Sequence, residues 1–223
     1  MKITYKTHDN LEINSGQISI LGTNSPTVYT DIIQGLQDEN EKISIVDENY
    51  SALEIAHAID WIGDVGTQNL VLTKYLRQIE KLFLQSVTDE QQNKIHDEIN
   101  RIFNIVSEQL FLLDLPIEVN FDFDLKKLFK YCGIRFDPIL ISKPYGIIET
   151  IIKIHETSNL DSCIALTNVA HYLTSVEFEE LSQLVKETNQ KILLIEFTEI
   201  EEQNFYGNAE FYYIDTDFID WHN

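Results

Sequence analysis

One long stretch of the chain, residues 67–113, contains neither glycine nor proline, the residues that most often interrupt a helix. Its apolar residues recur every three or four positions, which places them on one face of an α-helix. A break falls at Thr88, whose hydroxyl can cap a helix that opens with acidic residues. The pattern predicts two helices paired as an antiparallel hairpin. The apolar positions are Leu72, Tyr75, Leu76, Ile79, Leu82 and Phe83 in the first helix, and Ile95, Ile99, Ile102, Phe103, Val106, Leu110 and Leu113 in the second.

Strand patterns and helix patterns alternate on both sides of this stretch. A helix is predicted to begin at Ser25 and Pro26, which suit the cap and the first helical position. Gly133 suits the end of a short helix, and a strand is expected to start at Ile134. The other predicted helices are 124–132, 144–157 and 174–188, and the other predicted strands are 2–6, 17–21, 43–46, 117–121, 162–167, 191–195 and 209–214.

The strands at 162–167 and 191–195 are short, nearly continuous apolar runs that alternate with helices, which is typical of a buried parallel sheet. The sequence therefore predicts an α/β fold with a mostly parallel sheet. Residues 1–66 and 114–223 form the predicted head domain, and the helical hairpin, residues 67–113, is an inserted leg.

The net charge of −21 argues against nucleic acid as a partner when the chain is taken whole, but the charge is uneven. Residues 1–70 carry 3 basic and 11 acidic side chains, and residues 170–223 carry 2 and 12. Residues 71–155 carry 11 basic and 12 acidic side chains, so most of the positive charge lies in the middle third. This predicts either mixed solvated helix faces or a basic surface that contacts phosphates.

The expected compartment is the cytoplasm. The chain starts with a strand-like pattern rather than a secretory signal, and no apolar run is long enough to cross a membrane. Cys132 and Cys163 lie in apolar contexts far apart in sequence, so we expect reduced thiols rather than a disulfide.

No sequence motif for nucleotide binding or catalysis is present. The glycine pair at Gly63 and Gly66 has no lysine to reach a phosphate and reads better as a turn. The six histidines show no metal-ligand spacing to one another or to a cysteine. We therefore expect a protein that is not an enzyme, although a hydrolase with a site assembled from Asp60, Asp64, Glu118 and Asp122 stays open as an alternative.

Four carboxylates cluster where the second long helix is followed by a strand and a short helix. They are Asp114, Glu118, Asp122 and Asp124. Calcium takes six to eight oxygen ligands in loose arrangements, so these residues are candidate calcium ligands. The alternative is purely structural, with polar residues on the solvent side of an edge strand and Asp122 or Asp124 capping the next helix.

Two groups of basic residues are candidates for binding phosphate. One follows the acidic cluster, and the other lies at i, i+3 and i+7 on one helix face. Both groups could equally be solvated surface. They are Lys126, Lys127, Lys130 and Arg135, and Lys74, Arg77 and Lys81.

Five short segments resemble a family of CRISPR-associated proteins, the Csn family of DNA-binding ring proteins in subtype II-A systems. The resemblance runs nearly from end to end, although each segment is short and none is catalytic. The segments are 59–67 (IDWIGDVGT), 128–134 (LFKYCGI), 168–177 (NVAHYLTSVE), 192–196 (ILLIE) and 213–218 (YIDTDF).

The resemblance implies a head domain similar to nucleotide-hydrolysing folds without their phosphate loop, and a helical leg. It also implies a homotetrameric ring that binds Ca²⁺ and holds double-stranded DNA, preferably by its ends, in a basic central hole. The implied role is spacer acquisition in antiviral defence, alongside the CRISPR integrase proteins and the RNA-guided nuclease. The lysines that line the hole do not carry over from the family one by one. The alternative function is a degenerate α/β module that binds another protein and no DNA.

Overall fold

The computed structural model describes residues 1–66, 71–117, 119–120 and 122–222. The chain divides into two compact units, residues 1–74 together with 136–223, and residues 75–135. The strands are β1 Lys2–Tyr5, β2 Asn10–Glu12, β3 Gln17–Thr23, β4 Ile43–Val46, β5 Ile59–Gly63, β6 Cys163–Thr167, β7 Lys191–Phe197, β8 Glu210–Ile214 and β9 Asp220–His222. The α-helices are α1 Pro26–Leu36, α2 Ile55–Ala58, α3 Leu76–Ser86, α4 Asp89–Phe111, α5 Leu125–Tyr131, α6 Pro144–Ser158 and α7 Ser175–Thr188. Short 3₁₀ turns span Val71–Tyr75, Leu140–Ser142, Val169–His171 and Ile200–Tyr206.

The core of the first unit is a six-stranded sheet in the order β5-β6-β7-β3-β8-β9. Neighbouring strands are parallel from β5 to β8, and β9 is antiparallel to β8 at one end. Every residue of β6 is buried, as are Ile192–Glu196 of β7, because helices cover both faces of a parallel sheet. The predicted α/β fold with a mostly parallel sheet is confirmed.

The two faces of the sheet are covered by different elements. Val28, Ile32 and Leu36 of α1 share one apolar cluster with Leu193 and Ile195 of β7. Helix α7 buries Phe178, Leu181 and Val185, which lie outside that cluster, and it packs on β3 from the opposite face. This arrangement leaves the ends of the strands as the places where polar side chains can gather.

Local sequence signals explain where the helices of this unit begin. The Ser25 hydroxyl accepts a hydrogen bond from the Val28 amide and Pro26 occupies the first turn, as predicted. Helix α7 begins with a capping box, in which Thr174 and Glu177 each bind the other's backbone amide. Such caps satisfy amide groups that would otherwise lack partners at a helix start.

The second unit contains α3, α4 and α5. Thr88 forms a capping box with Gln91 and separates α3 from α4 at the predicted break. Ring contacts join Phe83 of α3 to Phe129 of α5 at 5.5 Å between centroids, and His96 of α4 to Phe123 at 5.1 Å. This compact unit extends to residue 135, past the predicted end of the leg at residue 113, because residues 122–131 pack with the two long helices.

Two sequence predictions for strands are wrong. Ile117, Val119 and Asn120 form no strand, and neither does the segment from Ile134 onward. Among the residues that the structure describes, no strand pairs with these segments, and Ile117, Val119 and Ile134 are exposed. A lone extended segment would lack partners for its backbone hydrogen bonds. Gly133 does follow α5 with a φ of 61°, as expected for the residue that ends a helix.

A smaller antiparallel sheet, in the order β2-β1-β4, is joined to α1 by a buried carboxylate. Asp31 of α1 is 5% exposed, and its Oδ2 accepts a hydrogen bond of 2.7 Å from the Tyr5 hydroxyl. The Lys6 ammonium lies 3.0 Å from the same oxygen, and Lys42 pairs with the other oxygen. Burial alone would raise the pKa of Asp31, but the hydrogen bonds from Lys42, Tyr5 and Lys6 lower it to about 2.

No helix among the residues with assigned structure is both long enough and apolar enough to cross a membrane.

The Asp31 pairings predict a specific loss of stability in acid. The lowered pKa means that the stabilisation is complete above about pH 4 and disappears as the pH falls through about 2. A pKa shift of this size corresponds to about 2 kcal/mol in the free energy of unfolding. Asp31→Asn should lose about that much at pH 7 and show a shallower acid dependence in urea titrations between pH 4 and pH 2. Glu41→Gln, at an exposed glutamate, is the matched control, and an unchanged acid slope in Asp31→Asn would contradict the assignment.

Candidate functional site

The carboxyl ends of the parallel strands β3, β5, β6 and β7 lie along one edge of the sheet, where ligands usually bind in open α/β folds. The segments that follow these strands begin at Asn24, Asp64, Asn168 and Thr198. Three of the segments that carry the family resemblance, 59–67, 168–177 and 192–196, reach this edge. The candidate site is therefore the carboxyl edge of the sheet in the first unit.

The link between β3 and α1 is too short to hold a phosphate loop. Only Asn24 and Ser25 separate the strand from the helix. The Ser25 hydroxyl already caps the helix, and Pro26 has no amide hydrogen to offer an anion. At the position where nucleotide-hydrolysing folds bind phosphate, this chain has a closed helix start.

Asn168 joins the ends of three elements. Its backbone has a φ of 52°, and its amide donates a 3.0 Å hydrogen bond to the Ile195 carbonyl. Its side-chain oxygen accepts from the Phe197 amide at 3.0 Å, and its side-chain nitrogen donates to the Tyr29 hydroxyl at 2.6 Å. One side chain therefore fixes the end of β6 against β7 and α1.

Asp64 connects the loop after β5 to the loop after β6. The Tyr172 hydroxyl donates to Asp64 Oδ2 at 2.9 Å, and the Gly66 amide donates to Asp64 Oδ1 at 2.7 Å. A Cβ atom at Gly66 would lie 2.2 Å from the Tyr172 ring, so glycine is required for this close approach. The segments 59–67 and 168–177, which are far apart in sequence, thus meet at one point.

Glu196, near the end of β7, is a carboxylate inside the protein. It is 1% exposed, and its Oε1 accepts a 2.8 Å hydrogen bond from the Val169 amide. Burial raises the pKa of Glu196 to about 7, although hydrogen bonds from the backbone of Val169 and Ala170 act in the opposite direction. The carboxyl borders a cavity of about 200 Å³ at this edge.

A second charged cluster surrounds Asp60 of β5. Its Oδ1 accepts a 2.6 Å hydrogen bond from the Lys74 ammonium, which also donates to the Trp61 carbonyl at 3.0 Å. Its Oδ2 lies 2.7 Å from Nε2 of the fully buried His155. Lys74, one of the predicted DNA-binding residues, is therefore engaged with Asp60 in the first unit.

The predicted calcium ligands lie outside this edge. Asp114, Asp122 and Asp124 belong to the second unit, and Glu118 lies outside the described residues. Asp122 pairs with Lys127, and Asp124 caps α5 by accepting a 2.8 Å hydrogen bond from the Lys126 amide. Asp114 is exposed. In the described parts of the chain, no three His, Cys, Asp or Glu side chains converge as a ready metal site.

The remaining predicted DNA-binding residues also belong to the second unit. They are Arg77, Lys81, Lys126, Lys127, Lys130 and Arg135, and all are exposed. Of these, Lys127 pairs with Asp122. The alternative hydrolase site is not brought together by the described residues. Asp60 and Asp64 have the partners described above. Asp122 lies in the second unit, and Glu118 is not described.

Glu196 and Asn168 were not predicted as site residues from the sequence. The sequence does contain a signal for Glu196. It is an acidic residue directly after the apolar run 192–195, which places it at the carboxyl end of a predicted buried strand.

The fold and the site define an α/β protein with a parallel sheet and no phosphate loop. Its fold is similar to that of Stu0660 of Streptococcus thermophilus, a solved structure, with a TM-score of 0.61 and 12% sequence identity. The similarity covers 100% of this chain and 76% of that chain. No protein family and no curated protein matches the sequence.

The buried carboxyl of Glu196 predicts an unusual stability profile. Because its pKa is raised to about 7, the folded state keeps a proton that the unfolded chain loses, so stability falls as the pH rises from about 4.5 to about 7. The shift corresponds to about 3 kcal/mol in the free energy of unfolding. Glu196→Gln keeps the shape and the acceptor oxygen without the charge, and should be more stable than the unaltered chain at pH 8.

The measurement is thermal denaturation at pH 5 and pH 8. Glu179→Gln, at an exposed glutamate of α7, is the control and should behave the same at both pH values. A Glu196→Gln variant that is equally destabilised at both pH values would show that burial does not disfavour the ionised carboxylate.

Proposed function

We propose that this chain is a non-enzymatic, calcium-dependent protein that binds double-stranded DNA as a ring of four in CRISPR spacer acquisition. The observation that carries the proposal is the similarity of fold over the whole chain to Stu0660, a CRISPR-associated protein. The family segments add support, because three of them from distant parts of the sequence meet at one sheet edge. The proposed setting is the bacterial cytoplasm, with the integrase proteins and the RNA-guided nuclease as partners.

Exposed apolar side chains in the second unit support assembly. None of the residues of α3, α4 and α5 is buried in the single chain. Ile102 and Ile105 of α4 are 61% and 62% exposed, and Phe111 is 86% exposed. Contiguous apolar surface of this kind usually marks an interaction site. We propose that further copies of the chain bury these apolar side chains.

The charge of the second unit supports DNA as the ligand. Residues 75–135 carry 8 basic and 10 acidic side chains, a balance of −2, so the remaining −19 of the total of −21 belongs to the first unit. Within the described part of the chain, six exposed cations of this unit form no ion pair: Arg77, Lys81, Lys94, Lys126, Lys130 and Arg135. Contacts from such side chains to phosphates are independent of base sequence.

Calcium would have to compete for its carboxylates. The oxygen donors suit a hard cation, but Asp122 is paired with Lys127 and Asp124 caps α5. A calcium ion that takes Asp122 would release the Lys127 ammonium for a phosphate, which offers a physical link between calcium and DNA. Calcium therefore acts in the proposal as a ligand that neutralises carboxylates and frees a cation.

The first test measures mass and DNA binding together. Light scattering should give a mass near four subunits, and gel shifts should show binding to a linear duplex in calcium that is lost in chelator. Binding that requires DNA ends should also be lost on closed circular DNA of the same sequence. A monomer or dimer that ignores DNA in both conditions would favour the alternative, a protein-binding module whose partner covers the apolar helices.

Charge reversal tests the DNA-binding residues. Lys126→Glu with Lys130→Glu should weaken binding to linear duplex at least tenfold, since two phosphate contacts are lost and two repulsions are added. The affinity of the unaltered protein should fall steeply between about 50 and 200 mM salt, and the double variant should show a shallower slope. Lys143→Glu with Lys186→Glu, at two exposed lysines of the first unit, changes the net charge by the same amount and is the control. Equal losses in both variants would mean that overall charge, and not this surface, governs binding.

A further inference from the structure

A small cavity at the carboxyl edge of the sheet is unexplained by DNA binding. Its volume is about 200 Å³, and it lies in the first unit between the 3₁₀ turn after β6 and the 3₁₀ turn after β7. A water molecule takes about 30 Å³ of liquid volume, so the cavity has room for a few non-hydrogen atoms and none for a nucleotide. Its walls combine acidic and aromatic side chains: Glu196, Glu202, Phe205 and Tyr206.

Glu196 forms the floor of this cavity and has no cationic partner among the described residues. Its Oε1 is held by the Val169 amide, which fixes the carboxyl in place. A carboxylate buried in this way is normally paired with a cation, because desolvation of an unpaired charge is costly. The Glu196 carboxyl therefore has hydrogen-bond donors beside it but no cationic side chain among the described residues.

The second buried polar group of the cavity is the Tyr206 hydroxyl. Tyr206 is 2% exposed, and its hydroxyl lies beside the Glu196 and Thr198 side chains but makes no hydrogen bond of good geometry within the described chain. Unsatisfied hydroxyls of this kind are rare inside proteins and point to a missing partner. A ligand with several N–H donors would add hydrogen bonds to the Tyr206 hydroxyl oxygen and to the Glu196 carboxylate.

The aromatic wall suits a cation as well. Phe205 and Tyr206 meet edge to face with centroids 5.2 Å apart, and Phe178 packs against both rings at 5.3 and 5.6 Å. Aromatic faces attract ammonium and guanidinium groups through the negative charge of the ring face. The exposed Glu202 at the same cavity adds a second negative group.

We propose that this cavity binds a small organic cation with an ammonium or guanidinium group, whose charge pairs with the Glu196 carboxylate beneath the Phe205 and Tyr206 rings. The cation could be a free amine or the side-chain end of a lysine or arginine from a partner, since both present the same chemistry. The proposal does not depend on DNA binding, because every residue used belongs to the first unit and none is among the predicted DNA contacts.

The binding should depend on pH in a defined direction. Glu196 must lose its proton to pair with the cation, and burial raises its pKa to about 7. The charge-bearing groups that face the cavity are Glu196, Glu202, His171 and Tyr206. Affinity should rise about tenfold from pH 6 to pH 8, in proportion to the ionised fraction of Glu196.

The test is calorimetry on the full chain with methylammonium chloride and guanidinium chloride at low concentration, against sodium chloride at equal ionic strength. Binding that strengthens from pH 6 to pH 8 and disappears in Glu196→Gln is the expected result. Glu179→Gln should bind as the unaltered protein does. Thermal denaturation of Glu196→Gln shows whether the variant is folded. In a folded variant, loss of binding is caused by loss of the carboxylate.

A second pair of probes separates the two sources of the cation. An acetylated and amidated Gly-Lys-Gly peptide that binds more tightly than methylammonium, while its norleucine counterpart does not bind, assigns the cavity to a partner's side chain. Tighter binding of methylammonium assigns it to a free amine. If neither cation nor the lysine peptide binds at pH 8, or if Glu196→Gln binds equally well, the proposal is wrong whatever the outcome with DNA.

Discussion

The burial of β6, β7 and β3 on both faces is the constraint on which the first unit depends. Strands covered by helices on each side can present polar groups to solvent only at their ends, because the interior positions must be apolar. The run from Ile192 to Ile195 meets this condition, and the side chains that carry hydrogen-bonding chemistry appear immediately after it and after β5 and β6. The sheet therefore concentrates the candidate site at one edge without any dedicated binding motif.

Side-chain hydrogen bonds hold the short loops at this edge in position. Asn168 ties β6 to β7 and to Tyr29 of α1, and the Tyr172 hydroxyl reaches across to Asp64. Each contact fixes the end of one strand relative to another, so the loops become parts of one hydrogen-bonded rim. Glu196 belongs to this rim because its Oε1 accepts a hydrogen bond from the Val169 amide, which partly opposes the rise of its pKa on burial.

Elements that are set by residues close together in the sequence were predictable. The apolar runs placed β6 and β7 within one or two residues, and the Ser25-Pro26 and Thr88 signals placed the starts of α1 and α4. The failures at Ile117, Val119, Asn120 and Ile134 share a cause, because alternation predicts a strand only where another strand lies alongside. The Asp64–Tyr172 contact could not be predicted either, because 108 positions separate the two residues and only the sheet order brings them together. The basic residues were found from composition, but composition could not show that Lys74 is engaged with Asp60 or Lys127 with Asp122.

The uneven charge resolves the apparent conflict between an acidic chain and a phosphate ligand. At physiological salt, charges separated by more than about 8 Å are largely screened, so a phosphate responds to the side chains beside it and not to the net charge of the whole protein. The first unit holds nearly all of the excess negative charge, whereas the second unit is close to balanced and carries exposed cations that form no described ion pair. A polyanion that approaches such a protein is repelled from most of its surface and is tolerated only where basic residues gather. The proposed DNA ligand would then be confined to the second unit, because the excess negative charge of the first unit opposes its adsorption there.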